Sequence, residues 1–287
     1  MSDSGRVRRK GRVITIGGSG DEEARAVSET VGFVLVFALV TTVIAVTFTF
    51  GLGGLEDAQL AERDTNVERA FDVLHDNLRD ISRDGVPSRA TELRLAGGTL
   101  TLAERTEVRF NGTAVDEGYT EGTRPLVYRG AGDSAVVYEN GAVFVTQGDR
   151  GSVLNGPDLL VDDDGVVVSL VRLSGSGQSI AGDRTVLVVG SNAERRVVDS
   201  PWSGGNVTMD IDSAHADVWE SYYTDLAAEY GEDTGAGHPR VHVEEEAVET
   251  CAADTGGGDG DLTVCFELDP DQEFVVHQTT IAVEFSD

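Results

Sequence analysis

Lysine is nearly missing from this 287-residue chain: of 22 basic residues only Lys10 is lysine. With 51 acidic residues the formal net charge is −29. A surface that negative repels phosphate, which argues against nucleic acid as a partner. Acidic excess with almost no lysine also fits a protein bathed in concentrated salt. There carboxylates hold hydration and counter-ions while charge is screened over only ~3 Å at 1 M. An acidic protein that binds a basic partner is the alternative reading.

Cysteine is scarce too. Cys251 and Cys265 are the only two, too few for a four-ligand zinc site or a disulfide-dense scaffold. They flank a glycine-rich tip between two stretches that read as extended. They are candidates for a disulfide closing a loop of about 15 residues, worth roughly 3 kcal/mol, or for two free thiols.

Motifs that carry chemistry are likewise missing. His238 and His242 are four apart, but Pro239 and β-branched neighbours argue against a helix, and no glutamate lies between them as a metalloprotease pair requires. His75, His215 and His277 stand alone. Gly175-Ser176-Gly177 lacks the flanks of a nucleophile elbow. Asp162-Asp163-Asp164 and Asp259-Gly260-Asp261 lack calcium-loop spacing and read as solvated acidic turns. Gly17-Gly18-Ser19-Gly20 follows a short Val-Ile-Thr-Ile run, but no amphipathic apolar stripe follows it as in a phosphate loop. The expectation is no catalytic residue, no metal and no cofactor.

What the chain does have is an uncharged run, Thr30 to Leu55. As a helix it reaches roughly 39 Å, more than the ~30 Å bilayer core. Phe33, Leu35, Phe37, Leu39, Ile44, Phe48 and Phe50 would point in every direction, so it has no polar face to offer water. A transmembrane helix over 27–55 is predicted. Residues 6–12 are basic and the acids crowd downstream, so the N-terminus is expected in the cytoplasm and the bulk outside the cell.

A second helical stretch is expected over 56–84. Val67, Ala70, Phe71, Leu74, Leu78 and Ile81 form one stripe at three- and four-residue spacing, and Asp84-Gly85-Val86-Pro87 ends it. A bend at Gly51–Gly54 is expected between the two halves. From 85 to 287 the period becomes two. Glu92–Leu102 reads as a hairpin turning at Gly97-Gly98, which sets Leu95 opposite Leu100 and Leu93 opposite Leu102. Val136–Val145 reads as another, turning at Asn140-Gly141. Further strands are expected at 105–110, 125–129, 165–173, 184–190, 206–211, 240–246, 262–268 and 273–285. One helix, about 214–230, is expected to start from Asp212 or Ser213 as cap and to pack Trp219 on the sheet, a carbohydrate-stacking role being the lesser reading. The fold class is therefore α+β: a long N-terminal helix, transmembrane then amphipathic, followed by a mainly antiparallel β-rich head with one additional helix. Asn111-Gly112-Thr113 and Asn206-Val207-Thr208 fit the N-glycosylation pattern, so Asn111 and Asn206 are candidate acceptors.

The residues before the apolar run, Asp21-Glu-Glu-Ala-Arg-Ala-Val-Ser-Glu-Thr-Val-Gly32, together with the basic leader and the long uncharged helix, resemble the class III signal sequence of archaeal type IV pilin-like proteins. The wider pattern, RAVSETVGFVLVFALV before a β-rich ectodomain, is similar to a haloarchaeal group of such proteins. The resemblance covers roughly residues 6–83. It implies cutting by a prepilin-type membrane peptidase between the Arg25-Ala26 pair and Val27, leaving 1–26 as leader and Val27 as the new terminus. Ser28-Glu29 stands where many archaeal members carry Ser-Pro. The implied function is a cell-surface, pilin-like structural protein, a minor subunit of a filament, with the membrane, the peptidase and other pilin-like subunits as partners. The alternative is a single-pass anchored extracellular binding domain that never polymerises.

Overall fold

The computed structural model describes residues 20–113, 118–130, 133–148, 150–198, 202–230 and 237–286. The chain divides into two units, residues 1–59 and 60–287. Helix α1 (Gly20–Asp84) supplies the described part of the first and opens the second; the basic leader lies outside the described residues. α1 stops where Gly85 takes a left-handed φ of 70° and Pro87 follows, a combination that a continuing helix cannot hold.

The strands that follow are β1 (Ser88–Arg94), β2 (Thr99–Leu102), β3 (Thr106–Gly112), β4 (Tyr119–Thr123), β5 (Leu126–Arg129), β6 (Ser134–Glu139), β7 (Ala142–Gln147) and β8 (Arg150–Asn155). After them come β9 (Leu159–Asp162), β10 (Gly165–Ser174), β11 (Ser179–Ala181), β12 (Thr185–Val197) and β13 (Trp202–Asp212). The chain closes with α2 (Ala216–Glu229), β14 (Arg240–His242), α3 (Glu245–Thr255) and β15 (Leu262–Ser286). Among the described residues they form two sheets. The larger runs β1-β12-β15-β13-β3-β4, with β9, β10 and β14 attached; the smaller runs β11-β2-β5-β6-β7-β8. All pairings are antiparallel except β10 on β15. The α+β class, with an apolar N-terminal helix and a mostly antiparallel β-rich domain, is what the sequence pattern predicts.

Two apolar clusters hold the second unit. In one, the α1 stripe Val67, Phe71, Leu74, Leu78 and Ile81 is almost wholly buried against leucines and valines of both sheets. In the other, Phe110, Phe144, Trp202, Phe266 and Phe274 meet the Trp219 and Tyr223 of α2. Strands such as β6 feed both clusters: Val136 and Tyr138 go to the first, Val137 to the second. A strand covered on both faces shows a continuous apolar run rather than alternation.

Three expectations need correction. The Asn140-Gly141 hairpin has the predicted register, Val136↔Val145 and Tyr138↔Val143, but the stretch 92–102 is no hairpin. Ala96 and Gly97 do make a tight left-handed turn, closed by the Gly98 N–H donating to Leu95 O at 2.7 Å. That turn passes the chain from one sheet to the other: β1 pairs with β12, whereas β2 pairs with β5 and β11. The four leucines still share one cluster, approached from two sheets. Secondly, there are two later helices. Only 240–242 of the expected strand 240–246 is extended, and α3 follows. Glu245 and Glu246 in its first turn suit the positive end of the helix dipole, and Gly256 ends it at φ 72°. Thirdly, α2 begins later than expected: its cap position is His215, which makes no side-chain cap bond, while the Ser213 hydroxyl accepts from the His215 N–H at 3.0 Å just ahead of the helix. Asp212 is held by Arg109.

Candidate functional site

The helical segment Glu29–Phe50 is long and apolar enough to cross a membrane, and none of it is buried within the structure. Phe33 and Phe50 are 72% and 76% exposed. Continuous apolar exposure on this scale marks a surface meant for another phase or another protein. The Thr41, Thr42 and Thr49 hydroxyls donate to the carbonyls of Phe37, Ala38 and Ala45 at 2.7–2.9 Å, so these three need no water. Arg25, Ala26 and Val27 lie within α1, just ahead of this segment.

In the second unit the described residues contain no group of three or more His, Cys, Asp or Glu able to hold a metal. The histidines are instead spread over separate contacts. His238 Nδ1 sits 3.1 Å from Asp163 and His242 Nε2 3.5 Å from Glu267. Within α1, His75 Nε2–H donates to Gly141 O of the β6–β7 turn at 3.1 Å. The acidic run at 162–164 forms a turn in which the Asp164 and Gly165 N–H groups donate to Asp162 Oδ1.

One polar cluster left no trace in the sequence. Glu139, only 2% exposed, accepts from the Ser213 hydroxyl at 3.0 Å and from His215 Nδ1 at 3.2 Å. The serine donates to the carboxylate and not to the imidazole, so the nucleophile–base contact of covalent catalysis is not made. The cluster ties the start of α2 to the end of β6. The adjoining cleft of about 490 Å³ sets Arg129 and Arg150 against Asp133 and Asp217, a balanced charge. The carboxylate lies 74 and 76 positions from its partners, a separation that no local motif encodes.

The two cysteines are joined, with Cα atoms 6.2 Å apart. Cys251 lies on α3 rather than on an extended stretch, so the bond pins that helix to β15. The two sequons lie side by side on neighbouring strands, Asn111 opposite Thr208. Both amides are engaged: Asn111 Nδ2 donates to Asp210 at 3.4 Å and Asn206 Nδ2 to Asp254 at 3.1 Å. Thr208 is fully buried, its hydroxyl near Asn111 O and Thr255 Oγ1. Trp219 is wholly buried as well and packs edge-on against Phe144, which removes it as a sugar-stacking platform. Burial drives the Tyr138 and Tyr223 phenols far up from their ordinary value, and burial together with Glu121 pushes Tyr119 up to about 12. These are core phenols held neutral, not acid–base groups near their working range.

Comparison with known proteins gives little beyond kinship. The family model described as "Family of unknown function (DUF7289)" matches residues 25–255. An "Uncharacterized protein" of Archaeoglobus fulgidus is 34% identical over 79 residues, which is 28% of this chain and 26% of the relative. No solved structure matches.

Proposed function

The chain belongs to DUF7289, a family of unknown function, and from that premise we propose that it is a membrane-inserted, pilin-like structural protein of the cell surface. The observation that carries this reading is the wholly exposed apolar segment Glu29–Phe50, which begins three residues after Arg25-Ala26. In water its exposure would cost on the order of tens of kcal/mol at ~25 cal/mol/Å². A bilayer removes that cost, and so does a bundle of like helices. The positive residues 6–12 hold the N-terminus in the cytoplasm, and the β-rich unit with its disulfide lies in the oxidising exterior. A peptidase of the prepilin type cuts after Ala26. Cutting removes six basic and four acidic residues, which takes the charge from −29 to −31. The mature protein then serves as a minor subunit of a pilus-like filament, its helix exchanging lipid for neighbouring helices without passing through water.

Mass spectrometry of the mature N-terminus tests the processing step. Val27 as first residue is expected, and Arg25→Glu or Ala26→Leu should leave the leader attached. Intact residues 1–26 in the wild type would overturn processing and leave a plain single-pass anchor. Recovery of the full-length chain as a freely soluble species would overturn the membrane assignment itself.

A further inference from the structure

The larger sheet does not end where α1 does. Beneath the helix its face is closed: Leu173, Ile281 and Val283 are buried, and Thr279 Oγ1 lies 3.5 Å from Ser82 O in the last turns. Residues two apart on a strand share a face, so the same face continues along β15 to His277 and Val275. His277 pairs with Val197 of β12 and Ser169 of β10, and Val275 with Val167, which in turn pairs with Leu160 of β9. Past the helix end nothing in the described structure covers this strip. Leu160 and Val197 are each 54% exposed, two of the few large apolar side chains left open in the second unit.

The strip borders a cleft of about 440 Å³ lined by Arg79, Arg83 and Arg195. Asp158 is its one described carboxylate, and it is held by Arg79 at 2.8 Å. Arg195 Nη2 donates to Arg83 O at 2.8 Å, which fixes that guanidinium at the end of α1. Within this cleft three guanidiniums face one carboxylate, the reverse of a chain with 51 acidic and 22 basic residues, while Asp80 and Asp84 stand beside Arg79 and Arg83 in the adjoining cleft. An apolar strip with an arginine rim is thus complementary to the ordinary surface of this same chain. The densest regular acidic surface there is the start of α3. Glu244, Glu245, Glu246 and Glu249 are exposed around half-buried Ala247 and Val248, and the Cys251–Cys265 bond holds the helix in place before any partner arrives.

We propose that this strip is the docking site for the first turns of α3 from a second copy of the chain. Arginines of one copy pair with glutamates of the next while Leu160 and Val197 lose water. The two surfaces differ, so the contact is head-to-tail: each copy has one strip and one α3, and the association repeats instead of closing as a dimer. This deepens the structural reading above and rests on it for having many copies in one membrane.

The test uses the full chain in native membranes, with Leu160→Cys and Glu246→Cys carried on differently tagged copies. Mild oxidation should give a mixed-tag cross-linked dimer when both are present, and on the order of tenfold less from either alone. Arg195→Glu should lower the mixed product on the order of tenfold, and Glu245→Arg on the other copy should restore it. A mixed product that is absent, or equally abundant from one variant alone, overturns the proposal. So does quenching of a fluorophore on the Leu160→Cys variant by spin-labelled lipid, which would lay this face on the bilayer. Both cysteine positions are exposed, and an intact Cys251–Cys265 bond in each variant checks the fold. The N-terminal mass and the membrane fraction of the same samples report separately on processing and insertion.

Discussion

The two ends of α1 carry similar residues in opposite circumstances. Phe37, before Gly51, is 63% exposed; Phe71, well after that glycine, has no exposed surface. In the second unit the helix gathers its described large apolar side chains, Val73 apart, on one stripe, and the protein's own sheets cover it. Around Phe37 they point all ways and none of the described residues covers them. Hydrophobicity alone therefore does not report what a helix is for. The angular spread does, because a stripe can be satisfied by a fold and a full circle needs a different solvent or several neighbours.

The sharpest way to break this comparison is to make one substitution in both places. Phe71→Ala opens a cavity in the first cluster and should cost about 3–5 kcal/mol, enough to lower the melting temperature of the β-rich unit by roughly 10 °C or more. Phe37→Ala should leave that melting temperature unchanged and weaken only membrane retention. Thermal unfolding in detergent with carbonate extraction in parallel reads both. Equal melting temperatures for the two variants would mean that the stripe is not what the head is built on.

Next in size is the disulfide. Cys251→Ser unties α3 from β15 across a separation of 14 residues and should cost roughly 2–4 kcal/mol. Because the bond lies in the second unit, membrane retention should not change. Denaturant unfolding with and without reductant checks it, and the serine variant should be insensitive to reductant.

High pH separates the regions in another way, since the uncharged run contains no titratable group while the second unit holds buried phenols. A tyrosine whose folded pKa is raised favours the neutral form. Its contribution is complete below the unfolded value of ~10 and is lost as pH climbs toward the folded one, about 12 for Tyr119. Tyr138 and Tyr223 are driven up in the same direction by burial. The β-rich unit should therefore keep constant stability up to about pH 10 and lose it progressively above that, followed by tyrosinate absorbance at 295 nm alongside circular dichroism. Insertion of the first segment should be indifferent over the same range.

How much of this was readable beforehand depended on how local the information was. Asn140-Gly141 set a hairpin and its register because a two-residue turn leaves adjacent strands little choice. Ala96-Gly97 makes an equally tight turn, yet its flanks find partners some 90 residues away on β12 and about 30 away on β5. Nothing within 92–102 distinguishes those two outcomes. α3 went unread because its apolar face is small: Cys251 is its only fully buried residue. The apolar run was plain from composition. The arginine-rimmed strip was not, since Arg79, Leu160, Arg195 and His277 meet only through pairings between distant strands.

The smallest test asks whether a threonine hydroxyl matters differently in the two regions. Thr41 spends its hydroxyl on the carbonyl of Phe37, which already accepts within the helix, so Thr41→Val removes a polar group and strands no partner. Its effect on membrane retention should be within about 0.5 kcal/mol, with any gain on the apolar side. Thr91 is 5% exposed and accepts from Asn77 Nδ2 at 2.9 Å, which links β1 to α1. Thr91→Val leaves that half-buried amide donor without its acceptor and should cost about 1 kcal/mol in the β-rich unit. Paired denaturation curves decide it: if Thr91→Val were as silent as Thr41→Val, the polar seam between helix and sheet would contribute nothing, and the second half of α1 would be held by its apolar stripe alone.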